Sequence, residues 1–422
     1  MVDALIFVFV LGYLFIVFEN KLGINKASVA ILTGVVCWVF IMMSEEYSDV
    51  NQILVDHLGS ISGILFFLLG AMTIVELIDA YDGFHFIIER IKIKDKNRFV
   101  WLISVIAFFL SAVLDNLTTA IVMTTLSSKM IENRRELWLL CGLIIISANA
   151  GGAWSPVGDV TTTMLWIENQ ITTREIILAV FPAAFVSAIV ATALVARMFK
   201  GSIEFKHGNQ NGSISIYDRN LVFFLGLGSI LFVPVFKSIT HLPPYMGMLF
   251  SLSLVWIVTE IMHRGKGDAE KGLLSINHAL RKIDTPSILF FLGILLAISS
   301  LETVGSLKII ANSLDQHVPN VTANGTLIGL ISAVVDNVPL VAACQGMYPL
   351  GRYPQDDYFW HLLAYAAGTG GSCLIVGSAA GVAVMGLVKV DFLWYLKNVS
   401  IIALVSFLAG ILVIALQYNL FY

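Results

Sequence analysis

Charge is what this sequence has least of. Only 13% of its 422 residues are Asp, Glu, Lys or Arg, against 58% hydrophobic, and the mean hydropathy is +0.86. So little charge cannot solvate a water-soluble globule of this length. A soluble fold is excluded and a polytopic membrane protein is expected. Cysteine is scarce too. Cys37, Cys141, Cys344 and Cys373 all sit in or beside apolar segments. They read as reduced thiols packed as small hydrophobes and not as a disulfide framework. The sequence has no zinc-type Cys/His cluster and no phosphate-binding loop. Residues 1–18 lack a basic leader and a small-residue cleavage site, so they read as a first span. The net charge of −4 says little; the placement of the charges says more.

Long apolar runs are abundant. They lie at 3–18, 27–43, 61–78, 99–128, 137–167, 176–196, 221–236, 243–262, 286–305, 325–345, 358–388 and 398–418. Two of them, 99–128 and 325–345, carry an Asp-Asn pair in mid-run. Each either crosses the bilayer or turns at the pair as a re-entrant hairpin. Cytoplasmic loops collect Lys and Arg, which decides between the two. With hairpins and an external N-terminus, the inside loops hold 21 of the 25 Lys and Arg; the outside loops hold Arg174, Lys237, Lys308 and Arg352. With full crossings the split is 12 against 13, which is no bias. The expectation is an all-α membrane protein of about ten spans and two hairpins. Residues 44–60 and 269–283 read as amphipathic surface helices. The eight histidines map to loops or helix ends; His85, His207, His263 and His278 face the cytoplasm, where they could sense pH.

The landmarks recur in order. Ile64 to Gly70 recurs as Ile288 to Gly293, and each run is followed by a glutamate, Glu76 or Glu302. Phe109 to Thr119, with Asp115-Asn116, recurs as Gly329 to Pro339, with Asp336-Asn337. Ala150-Gly151-Gly152 with Gly158 recurs as Thr369-Gly370-Gly371 with Gly377. Matched landmarks in one order indicate an internal duplication. The first repeat is 1–199, with hairpin 99–128 and broken helix 137–167. A cytoplasmic linker follows at 200–219. The second repeat is 220–422, with hairpin 325–345 and broken helix 358–388. The charge bias makes the second repeat inverted relative to the first, an arrangement that places a transport site where hairpins and broken helices meet.

The polar residues at these places are the site candidates. A carboxylate at bilayer depth costs on the order of 3 kcal/mol, so Asp115 and Asp336 call for a function, although Asp and Asn also cap helices. Asn116, Thr118 and Thr119 can satisfy the backbone groups freed at the first tip; Ser332 and Asn337 do so at the second. Three glycines and a proline between Ser147 and Gly158 unwind that span, leaving Asn149, Ser155, Asp159, Thr161 and Thr162 as oxygen donors around the break. Thr163 reads as bonding back to a helix carbonyl. The second break has Ser378 where the first has Asp159, and adds Thr369 and Ser372. Glu76 and Glu302, near their helix ends, are weaker candidates and read more simply as interfacial groups.

Residues 70–76, 108–119 and especially Ala148 to Trp166 closely resemble the NhaD family of bacterial sodium/proton antiporters, in the ion transporter superfamily that also holds arsenite permeases and dicarboxylate carriers. The resemblance covers essentially the whole chain. It implies exchange of Na⁺ and Li⁺ for H⁺ across a bacterial inner membrane. It also implies site residues at Asp115, Asn116, Thr118, Asn149, Asp159, Thr161, Thr162, Ser332, Asp336 and Asn337, with Na⁺ at Asp115, Asp159 and Asp336. The expected partners are Na⁺, Li⁺, H⁺ and the lipid bilayer; a homodimer is compatible with this. No nucleic acid and no cofactor are expected, and no enzymatic activity. The dicarboxylate carriers place serine where both tips here carry Asp, and two acids would repel an anion and attract a cation. A hard, all-oxygen cage suits Na⁺ or Li⁺. The rival readings are an organic-acid or arsenite carrier and an intramembrane aspartyl protease, which lacks its Gly-x-Gly-Asp pattern here. A channel is disfavoured because the hairpins would block its path.

Overall fold

The computed structural model describes residues 2–17, 19–44, 49–88, 93, 95–202, 215–264 and 272–421. Within them the chain is helical; the single β-type contact is an isolated bridge between Asp95 and Ser202. Among the described residues, eight helices are long and apolar enough to span a membrane: Lys26–Met43, Val50–Ala80, Arg134–Ala153, Thr173–Ala196, Ile216–Thr240, Pro244–Met262, Thr285–Thr303 and Ser400–Leu420. The 16-residue helix Val2–Val17 and the interrupted pair Tyr358–Gly370 and Ala379–Val388 carry the other two expected spans. The polar residues at the loop boundaries are mostly caps. Asn25, Asp95, Asn133, Thr172, Asp357 and Asp391 each accept a backbone N–H from the first turn of the helix that follows, satisfying donors that a helix leaves open.

The helices fall into two packed groups. In one, Lys26–Met43 lies against Thr285–Thr303, flanked by Val2–Val17 and Val50–Ala80; Ile216–Thr240 and Pro244–Met262 pack on Val50–Ala80. The central crossing is close because Gly34 meets Gly293: a Cβ on Gly34 would stand 2.7 Å from the Gly293 carbonyl oxygen. Trp38 Nε1 locks it by donating to Leu296 O at 2.9 Å. The other group gathers both hairpins and both interrupted helices with Thr173–Ala196 and Ser400–Phe421. The groups meet chiefly where Thr285–Thr303 touches Asn337–Met347 and Val50–Ala80 touches Val160–Ile167.

Each Asp-Asn segment folds back on itself. Lys96–Ser111 turns at 112–115 into Asn116–Met130. Lys96 Nζ then reaches Glu136 Oε2 at 2.8 Å, so both ends of this segment lie together. Val321–Ile331 turns at 332–336 into Asn337–Met347, and Asn324 near its start donates to the Tyr348 hydroxyl at its end, 3.3 Å away. The loops sort into two polar ends. At one, Asn97 Nδ2 bonds Ala196 O, Trp138 Nε1 bonds Val388 O, and Lys282 pairs with Glu76. At the other, Lys237 Nζ bonds Trp166 O, Gln345 bonds Gln170, and Asp356 N bonds Gln170 O. Cysteines placed at the exposed Arg98 and Arg134 are expected to react with an impermeant maleimide from one side of a sealed vesicle, and one at Arg174 from the other. The four native cysteines are buried and leave the background low. Labelling of position 134 from the side of position 174 would contradict the folded-back arrangement.

Several expectations need correction. Residues 50–60 are not a separate surface helix; they are the first part of the 31-residue helix Val50–Ala80. Amphipathic patterning there reflects one wall facing Thr285–Thr303. His57 accordingly sits inside that helix and not at an end. Segment 269–283 is a 3₁₀ turn Gly272–Leu274 and a short helix Ile276–Lys282 laid on Val50–Ala80, while 269–271 lie outside the described residues. Most of the linker, 203–214, also lies outside them, as does His207; residues 216–219 already belong to the helix Ile216–Thr240.

Candidate functional site

The two turns and the two helix breaks converge. Arg134–Ala153 ends at a break, Trp154 to Asp159, before Val160–Ile167; Tyr358–Gly370 ends at a 3₁₀ turn, followed by turns and bends over 374–378, before Ala379–Val388. Close backbone approach makes this possible, and it occurs twice. A Cβ on Gly151 would overlap Phe108 O, and one on Gly370 would overlap Gly329 O. Gly152 faces Gly158 O and Gly371 faces Gly377 O, each at 2.6 Å from the Cβ position. Ser111 Oγ donates to Ala148 O at 2.6 Å, and Ser332 Oγ to Ala367 O at 2.9 Å. These serines staple each turn to its interrupted helix and consume hydroxyls that apolar surroundings would leave costly.

At the centre stands Asp159, 2% exposed. Its Oδ2 accepts from Asn116 Nδ2 and from Asn337 Nδ2, both at 3.3 Å, so the second residues of both Asp-Asn pairs point at one carboxylate. Its Oδ1 accepts Thr161 N at 3.2 Å, capping Val160–Ile167. Thr161 Oγ1 lies beside it, buried, without a hydrogen bond of normal geometry. Asn116 Nδ2 also donates to Asn149 Oδ1 at 3.1 Å. Asn149 passes the network across the halves, donating to Ser372 Oγ at 2.9 Å and Ser378 Oγ at 3.1 Å. Gly368 faces this carboxylate, with 3.5 Å between its Cβ position and Asp159 Oδ2, leaving only a small gap there. The result is a buried set of carboxylate, amide and hydroxyl oxygens with one formal charge at its core. It can hold a small hard cation or a proton.

The other two aspartates flank this core. Asp115 caps Asn116–Met130, accepting Thr118 N at 2.7 Å and Thr118 Oγ1 at 2.9 Å. Its φ of +139° is a conformation that side chains rarely adopt. Asp336 has ordinary backbone angles and no side-chain cap; it pairs with Lys26 at 3.9 Å. Asp159 lies within electrostatic reach of both. Among the described residues no three His, Cys, Asp or Glu groups converge as one metal cluster.

Other candidates are placed elsewhere or otherwise occupied. Thr118 serves Asp115 and not the centre. Thr162 Oγ1 donates across the break to Ala153 O and Thr163 Oγ1 donates into it, to Pro156 O, so Thr163 does not bond within its own helix. Ser155 Oγ accepts Val157 N inside the break. Thr369 bonds back to Tyr365 O. Glu76 pairs with Lys282 at one polar end, 3.2 Å away. Glu302 lines a cavity of about 290 Å³ at the other, with His57, Glu168, Gln345 and Met164, at the seam between the two helix groups. Two contributors were missed: Ser111, whose signal was its match to Ser332 four residues before the Asp-Asn pair in each repeat, and Lys26, which carried little signal as one more basic residue in a loop.

A helical membrane protein with paired turns, paired interrupted helices and a buried hard-oxygen centre is a secondary transporter and not an enzyme. Comparison with known proteins agrees. The chain matches the CitMHS family, described as citrate transporter, over residues 13–362, and belongs to it. It is 45% identical over 420 residues to sodium/proton antiporter 2 of Arabidopsis thaliana, covering 97% of this chain and 98% of the relative. It is 44% identical to sodium/proton antiporter 1 of the same plant, covering 99% of this chain and 73% of the relative. The Na(+)/H(+) antiporter NhaD of Alkalimonas amylolytica is 29% identical, with 96% and 88% covered. The resemblance to the NhaD proteins read from residues 148–166 therefore holds over nearly the full chain.

Proposed function

We propose that this protein exchanges Na⁺, and also Li⁺, for H⁺. The observation that carries the reading is the Asp159 centre, where one buried carboxylate is met by the amides of both Asp-Asn pairs. Two further carboxylates flank it within electrostatic reach. A polyanion such as citrate would enter a field of three acids, one of them paired with Lys26, an unfavourable encounter. The names of the plant and bacterial relatives support the cation reading over the family's citrate description. Bound cation and bound proton compete for the same oxygens, so each leaves as the other enters. On this reading the two halves are inverted repeats, 1–199 and 220–422, joined by a cytoplasmic linker. The group holding the turns and breaks moves against the group built on Lys26–Met43 and Thr285–Thr303. We place the protein in a bacterial inner membrane, following the NhaD relatives; membrane fractionation tests that placement against the plant relatives' higher identity.

The test is dissipation of a preformed ΔpH in everted vesicles. Na⁺ and Li⁺ are expected to discharge the gradient and K⁺ and citrate are not. Labelled citrate uptake without Na⁺-dependent proton movement would replace the reading with an organic-acid carrier.

A further inference from the structure

We propose that Lys26 is a built-in counter-ion that holds the empty transporter still. The inference deepens the exchange reading and rests on it. Of the three site aspartates, two are served from within their own helix group: Asp115 by Thr118, and Asp159 by Asn116, Asn337 and Thr161. Asp336 is different. Its carboxylate lies 3.9 Å from the Lys26 ammonium, and its backbone N–H donates to the Tyr13 hydroxyl at 3.2 Å. Lys26 Nζ in turn sits 4.5 Å above the ring of Phe290, which is buried. Two helices of the other group, Val2–Val17 and Lys26–Met43, therefore grip the second turn at its acid, and a third, Thr285–Thr303, backs the lysine.

Helix stability does not explain this lysine. Lys26 is the first residue of Lys26–Met43, where the helix dipole disfavours a cation. What offsets that cost is the Asp336 charge and the aromatic face. The pair is only partly exposed, 26% and 21% for the two side chains, so water screens it incompletely. At 3.9 Å it is an ion pair without a short hydrogen bond. Such a contact opens readily once one charge is cancelled.

That property gives it a role in coupling. An exchanger must not cross the membrane with its site empty, or Na⁺ would run downhill alone. When Asp336 is bare, its charge belongs to Lys26 and the two helix groups are pinned together. When Na⁺ or a proton neutralises the site, the ammonium loses its partner and the groups are released. A ligand shifts such an equilibrium only through its unequal affinity for the two states, and displacement of Lys26 supplies that inequality. Na⁺ and the ammonium are then competitors for Asp336.

The full-length protein in proteoliposomes tests this, with Na⁺ flux and internal pH followed together. In Lys26→Gln, potential-driven Na⁺ entry without a counter-moving proton is expected to rise at least about tenfold, with the Na⁺ half-saturation falling several-fold as the competitor is removed. Lys26→Arg keeps coupling. Lys26→Cys leaks like Lys26→Gln; aminoethylation of that cysteine, which restores an ammonium, restores coupling, and a neutral methylthio group does not. A slower but fully coupled Lys26→Gln and Lys26→Cys would make Lys26 a structural residue and overturn the proposal. If neither variant accumulates, the wild type decides. Acylation of Lys26 by an amine reagent should speed up on adding Na⁺ and not K⁺; an unchanged rate overturns the proposal. Failure of the exchange reading itself would look different: the wild type would show no Na⁺-dependent pH change at all.

Discussion

Asp159→Asn is expected to reduce Na⁺-driven proton movement at least about 100-fold in everted vesicles, with the protein present in the membrane. The two amides that point at Asp159 Oδ2 are both donors. An asparagine there can still accept through its oxygen but presents a third NH₂ group to a buried site and removes its central charge. Hydrogen bonds to a charged group contribute roughly 1.5–3 kcal/mol, and leaving buried donors unmatched costs a similar amount. Ser378→Ala removes one hydroxyl that accepts from Asn149 and Gly381 N, a loss of roughly 0.5–1.5 kcal/mol, and is expected to shift the Na⁺ half-saturation about tenfold or less. Asp159 also caps Val160–Ile167 through Thr161 N, so Asp159→Ser separates the two roles. Serine caps about as well as aspartate and carries no charge. Full activity in Asp159→Ser would reduce Asp159 to a cap; loss of Na⁺ dependence with normal folding would leave it as the charge of the site.

The largest effect on the fold is expected from Gly370→Ala and its counterpart Gly151→Ala. A Cβ at Gly370 collides with Gly329 O, and one at Gly151 with Phe108 O. Both obstacles are backbone atoms of packed helices and cannot rotate away. Each turn would have to separate from its interrupted helix, breaking the Ser332 or Ser111 staple with it. A cost of about 3 kcal/mol or more is expected from such overpacking in a close-packed interior. Neither variant should give a monodisperse peak in detergent. Gly228→Ala is the control: nothing stands within 4 Å of its Cβ position, in the middle of Ile216–Thr240. Helix propensity alone should make it neutral or stabilising by up to about 1 kcal/mol. A monodisperse, thermostable Gly370→Ala would show that the approach is looser than the geometry requires.

Much was legible in the chain before any contact was known. Low charge and long apolar runs set the class, because a bilayer admits only segments that satisfy their own backbone. The glycines of Ala150 to Gly158 and Thr369 to Gly377 located both breaks, since such residues weaken a helix wherever they occur. The uneven lysines and arginines indicated that 99–128 and 325–345 fold back, and the Lys96–Glu136 and Asn324–Tyr348 contacts are what such folding back produces. Each of these signals is local: a residue's chemistry acts on its own stretch of chain.

What the tertiary structure alone decided is which polar groups meet. In sequence Asp115 and Asp336 looked equivalent, as the acids of the two tips, and Asp159 stood apart as the acid of the first break. Packing makes Asp159 the centre, because both asparagine amides reach it, Asn116 from 43 residues away in sequence and Asn337 from 178. It leaves Asp115 serving its own helix and gives Asp336 to Lys26. Glu76 and Glu302 matched each other in the repeat, yet one ends at Lys282 and the other at a cavity wall. A carboxylate's role depends on which donors and charges lie within a few ångströms, and helix crossings held by glycine contacts set those distances. Sequence order carries no record of them.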